Sequence, residues 1–224
     1  MNTSPGPLIA LISAVPAAIP PVDAALAASG GAAQVWNILD DRLLQDAADA
    51  GGLNATLEAR MERLIEHASL EGADAVLLTC SMYAPVAHRA QGRLSIPVAG
   101  PDDALFEAAT SGRYRRVLLV SSAGGPLADS MQRLREVAQG VVEVTGVVAE
   151  GAVEAARRGR IDELVARIVA AVSAVSVVPD AVLLGQYSLA HATEGVREAT
   201  GLTVLTGPEL AVAALRSRLG EEAS

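Results

Sequence analysis

Apolar residues along the chain come in short, nearly continuous runs separated by longer segments that mix Ala and Leu with Glu, Asp and Arg. The runs Leu8–Ala14, Gln34–Leu39, Ala75–Thr79, Val117–Ser121, Val141–Val148, Ala181–Gly185 and Thr203–Leu205 have the length and β-branched content of strands. Asn54–Leu70, Asp102–Thr110, Pro126–Ala138, Ile161–Val175 and Pro208–Leu219 have the length and periodicity of helices. Asn54 and Asp102 carry the side chains expected of helix N-caps. The Gly and Pro clusters fall between these segments, where turns need them. Strands that are apolar throughout, rather than alternating, are buried on both faces. Their regular alternation with helices predicts an α/β protein with mostly parallel sheets.

The runs also repeat. Asp74-Ala-Val-Leu-Leu-Thr-Cys80 returns as Asp180-Ala-Val-Leu-Leu-Gly-Gln186, 106 residues later. Val98-Ala-Gly-Pro101 returns loosely as Val204-Leu-Thr-Gly-Pro208, with the proline displaced by 107. Leu8-Ile-Ala-Leu-Ile-Ser13 pairs with Val117-Leu-Leu-Val-Ser121, with the serine displaced by 108. Three blocks in the same order at nearly constant spacing suggest duplicated halves: residues 1–100 with 207–224, and residues 101–206. In an open parallel sheet, ligands bind beyond the carboxyl ends of the strands. Cys80, Gln186, Ser13 and Ser121 all fall at such ends. If the halves are related by a pseudo-twofold, Cys80 and Gln186 approach one ligand from opposite sides of a cleft.

Composition narrows the chemistry. The formal charge is -9, and there is no basic run, which argues against nucleic acid or an anionic membrane as partner. All 17 basic residues are Arg. Without lysine there is no Schiff-base amine, no pyridoxal phosphate anchor and no Gly-Lys-Ser/Thr phosphate loop. A single cysteine precludes an intramolecular disulfide and a multi-thiolate zinc site, and no His, Cys and carboxylate cluster has metal-site spacing. No metal and no cofactor are expected. Residues 8–19 are apolar, but no positive residue precedes them and Pro16, Pro20 and Pro21 interrupt the run, so a first core strand is expected rather than a signal segment. No other apolar run approaches the ~20 residues of a membrane helix. The expected location is the cytoplasm.

Cys80 lies at a polar strand end between Thr79 and Ser81, with a turn or helix start near Pro85. N–H groups at a helix start favour anions, so they serve a substrate carboxylate or depress the thiol pKa. Leu78-Thr-Cys-Ser-Met-Tyr-Ala-Pro85 resembles the first cysteine motif of the aspartate/glutamate/hydantoin racemase superfamily. Leu184-Gly-Gln-Tyr-Ser-Leu-Ala190 stands where that superfamily has its second motif, typically Leu-Gly-Cys-Thr. The resemblance runs through nearly the whole chain. It includes Ser13-Ala-Val-Pro16 after the first strand and Asn37-Ile-Leu-Asp-Asp41 after the second. It implies two flavodoxin-like or Rossmann-like halves and cofactor-free chemistry. Two thiols flank the carbon next to a carboxylate, and hydroxyl, amide and loop N–H donors hold the carboxylate. Arylmalonate decarboxylase and maleate isomerase share the fold. A possible homodimer also follows from the resemblance.

The sequence departs from that pattern at the second thiol. Gln186 takes its place, and an amide does not relay protons near neutral pH. Three readings stay open: an isomerase or racemase with Tyr187 or His191 as second acid, a single-thiol decarboxylase or lyase, and a carboxylate-binding protein without catalysis. The candidate catalytic residues are Cys80, Gln186 and Tyr187. The candidate substrate-binding residues are Ser13, Val15, Pro16, Asp40, Thr79, Ser81, Tyr83, Ser121, Ser122, Ser188 and His191, acting on a small carboxylate. Tyr83 and Tyr187 are read equally as carboxylate donors or as packing rings. Asp40 and Asp41 are read as a site pair or as a turn. Ser121, Ser122, Gly124 and Gly125 form a candidate anion nest. His88 and His67 read as surface residues.

Overall fold

The computed structural model describes residues 6–30 and 32–220 of the 224-residue chain. They form two units by contact, Met1–Pro101 with Ala211–Ser224, and Asp102–Leu210. Residues 1–5, 31 and 221–224 lie outside the described residues.

The first unit holds β1 (Leu8–Ser13), α1 (Ile19–Ala28), β2 (Gln34–Leu39), α2 (Leu43–Asp49), α3 (Ala55–Leu70), β3 (Ala75–Leu78), α4 (Ala84–Gln91) and β4 (Val98–Ala99). The second holds α5 (Asp103–Ala109), β5 (Arg116–Ser121), α6 (Gly124–Ala138), β6 (Glu143–Val148), α7 (Ala152–Arg157), α8 (Ile161–Ser173), β7 (Ala181–Leu184), α9 (Thr193–Thr200) and β8 (Thr203–Thr206). The last helix, α10 (Gly207–Arg218), runs from the second unit into residues of the first.

Each unit has one four-stranded sheet, and every strand pair is parallel. The orders are β2-β1-β3-β4 and β6-β5-β7-β8. This is an α/β architecture with two like halves, and the likeness extends to register. Ile9 lies opposite Ala75 as Val117 lies opposite Ala181. Ser13 lies opposite Leu39 as Ser121 lies opposite Val148. The repeat read from the sequence is therefore a repeat of strand pairing. Its Asp has a structural part at the amino end of each sheet. An Asp74 carboxylate oxygen accepts from the Leu8 N–H at 2.7 Å, and an Asp180 oxygen accepts from Arg115 and Arg116 N–H at 2.7 and 3.0 Å. These donors start an otherwise unpaired strand end, and they hold the Asp180 carboxyl below its ordinary value.

The central strands are apolar on both faces because helices cover both. In the second unit Leu118, Val120, Val182, Leu184 and Val204 pack with residues of α7, α8 and α9, while Val117, Leu119, Ala181 and Leu183 pack with α5 and α6. The alternation of two follows from the pleat. In the first unit Ala10, Ile12, Val76, Leu78 and Val98 meet α2, α3 and α4. Burying a Leu such as Leu77 or Leu78 contributes about 1.5–3 kcal/mol. The strands β2 and β6 stand at the sheet edges and are largely exposed.

Several elements differ from the sequence reading. The apolar run divides into β1 and α1, and Pro20 and Pro21 sit in the first turn of α1, which was not expected; there the missing N–H would have no helical partner anyway. The short helices α2, α7 and α9, and the two-residue β4, carry too few residues to show a period. The strand expected from Val141 begins at Glu143, because the chain leaves α6 through left-handed Gln139 and Gly140. Asn54 caps α3 by accepting from the Leu57 N–H at 3.0 Å. Asp102 stands at the start of α5 but makes no side-chain cap; its carboxylate pairs with Arg133 at 2.6 Å.

Candidate active site

In each sheet the chain first adds a strand on one side of its first strand and then crosses to the other. The switch falls between β1 and β3 in the first unit and between β5 and β7 in the second. Loops leaving the carboxyl ends on either side of a switch diverge and open a crevice, which is where such sheets bind ligands. Ser13, Thr79 and Cys80 stand at one switch, and Ser121, Ser122 and Gln186 at the other.

At the first switch, β1 ends at Ser13 and β3 at Leu78, tied by the Thr79 N–H to the Ile12 carbonyl at 3.1 Å. The Thr79 hydroxyl donates to Ser13 Oγ at 2.9 Å, and both side chains are buried. Cys80 follows in extended conformation and is half-buried. Its carbonyl accepts from the Tyr83 N–H at 3.1 Å, closing the 3₁₀ turn Ser81–Tyr83 that leads into α4. The thiol position is thus set by the end of a fully buried strand before it and a closed turn after it. Val15 is extended and half-buried after β1, and Ser81 is half-buried; Pro16 is exposed.

Asp40 reaches the same end of the sheet through its own N–H, which donates to the Ser13 carbonyl at 3.0 Å. Its carboxylate is engaged by Arg60 of α3 at 2.6 Å, and Arg60 also holds Asp46 at 2.6 Å. The Arg60 bond is the main cause of the lowered Asp46 pKa. Sequence reading missed Arg60, which lies in a helix rich in Glu and Arg and is singled out only by where α3 packs. Tyr83 is fully buried, with its hydroxyl donating to the Leu43 carbonyl at 3.2 Å. Burial, and after it the nearby Cys80, push its pKa up to about 12. Tyr83 therefore joins the turn after β3 to α2, with its ring out of solvent. His88 is exposed on α4.

At the second switch the backbone path is the same and the side chains differ. Gly185 N–H bonds the Val120 carbonyl at 2.9 Å, and the Gln186 carbonyl accepts from the Leu189 N–H at 3.0 Å. Gly185 stands where Thr79 stands. A Cβ there would lie 3.0 Å from Leu119 Cδ1 and 3.2 Å from the Val120 oxygen, so no hydroxyl-bearing residue fits without a shift. The Ser121 hydroxyl is shared instead between the Ala123 carbonyl and Gln186 Oε1, each at 3.2 Å. Gln186 Oε1 accepts from the Ser122 N–H at 2.7 Å, from Ser122 Oγ at 2.7 Å and from Ser121 Oγ at 3.2 Å. Gly124 and Gly125 begin α6 and take no part in a left-handed nest.

Tyr187 is buried, and its hydroxyl has no hydrogen-bond partner among the described residues. Burial, with Asp102 and Asp103 adding to it, raises its pKa well above the usual phenol value. Ser188 is half-buried, and His191 is exposed in the 3₁₀ turn Tyr187–Ala192. The geometry thus gathers Ser13, Asp40, Thr79 and Cys80 at one sheet end and Ser121, Ser122 and Gln186 at another, and leaves Pro16 and His191 in solvent. Among the described residues no group of three or more His, Cys, Asp or Glu is placed to hold a metal ion. No helix among them is long and apolar enough to cross a membrane.

A family model for Asp/Glu/Hydantoin racemase matches residues 23–215. The chain belongs to that family. On this membership it is a racemase-type enzyme, and the fold agrees. Aspartate racemase from Picrophilus torridus superposes with a TM-score of 0.72 at 12% identity, covering 98% of this chain and 96% of that one. Allantoin racemase from Klebsiella pneumoniae gives 0.71 at 16%, covering 98% and 91%. Glutamate racemase from Campylobacter jejuni subsp. jejuni gives 0.70 at 14%, covering 97% and 88%. No curated protein matches the chain. At these identities the structures speak for the fold, and the family match carries the class of enzyme.

Proposed function

We propose that this family member moves a proton, without a cofactor, at the carbon next to the carboxylate of a small acid, with Cys80 as base or nucleophile. The observation that carries the reading is the placement of Cys80. A half-buried thiol sits at the switch-point end of a buried strand, beside a hydroxyl pair, in a chain of the racemase family. As a thiolate, Cys80 takes the α-proton, and the electron pair left on carbon moves into the carboxylate to give an enediolate. A proton returned to carbon from Cys80 or from water completes the cycle. Hydroxyl donors such as Ser13 and Ser81 offset the charge that grows on the carboxylate oxygens.

Gln186 favours a second reading. Decarboxylation breaks the bond to a carboxylate as carbon dioxide and then needs a proton on one face only. A single thiol suffices for it. Both readings are tested by solvent deuterium incorporation, followed by NMR, across aspartate, glutamate, hydantoins, maleate and arylmalonates. Label at the α-carbon that vanishes in Cys80→Ala supports the reading. Unchanged label in that variant removes it. Loss of a carboxyl group with label at the same carbon selects decarboxylation.

A further inference from the structure

Gln186 is the one candidate whose role changes once its contacts are known. Three donors converge on Oε1: the Ser122 N–H and hydroxyl, each at 2.7 Å, and the Ser121 hydroxyl at 3.2 Å. Rotating the amide by half a turn would set its NH2 against the Ser122 N–H, a donor facing a donor at hydrogen-bond distance. A backbone N–H cannot reverse its polarity, so the amide has one acceptable orientation. Its nitrogen, with two N–H groups, is then directed away from the serines, and it donates to no residue among those described. Gln186 is half-buried, at the carboxyl end of β7 on the switch point, and it occupies the register position that Cys80 occupies after β3.

We infer that Gln186 is a fixed hydrogen-bond donor to an acceptor oxygen of a ligand bound at this switch point, and that Ser121 and Ser122 are positioning residues that act through it. This goes beyond the proposed proton-transfer reading and stands apart from it. An amide donates without giving up its proton, so this position binds an acceptor oxygen and takes no part in acid–base exchange. The ligand accordingly offers it an oxygen such as that of a carboxylate or a ring carbonyl. Ser122, which by type alone would contact a carboxylate, is already committed to the Gln186 oxygen, and the Ser121 hydroxyl is shared between that oxygen and the Ala123 carbonyl.

The test uses the intact 15N-labelled chain. The side-chain amide pair of Gln186 is identified by its disappearance in Gln186→Glu, which keeps an acceptor oxygen for the serines and deletes the donor. The inference expects that pair to be displaced from free glutamine positions in the wild type and to move toward them in Ser122→Ala. Malonate should shift it, and chloride at the same ionic strength should not. Ser122→Ala, which frees the amide, should weaken the malonate shift. A Gln186 pair at free glutamine positions, or one that malonate leaves unmoved, overturns the inference. If malonate moves a displaced pair while no acid in the panel exchanges deuterium, the donor role stands and the proton-transfer reading falls.

Discussion

The carboxyl ends of β3 and β7 have the same backbone and different chemistry. Both strands read Ala-Val-Leu-Leu, both lie beside the central strand in the same register, and both lead through an extended residue into a 3₁₀ turn. One of those extended residues is Cys80 and the other is Gln186. Around Cys80 the hydroxyls of Ser13 and Thr79 bond each other. Around Gln186 the hydroxyls of Ser121 and Ser122 bond the glutamine itself. A duplicated fold therefore fixes where a functional residue stands, while its neighbours fix what it can do. A thiol is a group that can exchange a proton, whereas an amide whose oxygen is saturated offers only its donors.

The sharpest way to break this comparison is to remove the thiol. Cys80→Ala is expected to lower α-proton exchange by about 10²–10⁴-fold, the usual contribution of one general acid or base, with the far-UV circular dichroism unchanged. Cys80→Ser keeps the size but is a far weaker acid, and its residual rate should fall between the two. Retained exchange in both variants would place the chemistry elsewhere.

Next in size is the loss of the Gln186 oxygen. Gln186→Leu leaves the Ser122 N–H and hydroxyl without their acceptor, while the Ser121 hydroxyl keeps the Ala123 carbonyl, and it is expected to cost about 1–3 kcal/mol in urea unfolding. A cost near zero would mean that the Ser122 donors find another partner.

The two tyrosines near these turns should respond with opposite sign. Tyr83→Phe deletes a bond to the Leu43 carbonyl and is expected to destabilise by about 1 kcal/mol. Tyr187→Phe removes a buried hydroxyl that has no partner among the described residues, so it should be neutral or stabilising by up to about 1 kcal/mol. Lost turnover in Tyr187→Phe without lost stability would give that phenol a chemical part.

The smallest effect expected is at the other end of the sheets. The Asp180 pKa is lowered in the folded protein from an ordinary 3.8. The unfolded chain binds the proton first as pH falls, so the stabilisation is present above about 4 and is lost as pH drops through the lower, folded value. Asp180→Asn should flatten that acid limb of the stability profile. An unchanged limb would show that the carboxylate contributes nothing beyond its neighbours.

Much of the fold was legible because burial writes itself into composition. Strands covered on both faces must be apolar throughout, so β1, β3, β5 and β7 stand out, and duplication made them recur at nearly constant spacing. Asn54 was legible as a cap because a capping side chain bonds its own helix. Helices that last about two turns carry no such signal, and α1, α2, α7 and α9 went unread, while Pro85 marked the start of α4. At the candidate site, the sequence by itself placed Cys80 and Gln186 at equivalent strand ends, since strand ends follow from local pattern. It also established that one lacks a thiol. Only the tertiary structure decided that Asp40 belongs to Arg60, that Tyr83 and Tyr187 are buried, and that Ser121 and Ser122 are bound to Gln186. Those partners lie 20 to 65 residues apart along the chain. Hydrogen bonds are short-ranged and directional, so which groups meet depends on how strands register and helices pack, and no local pattern records it.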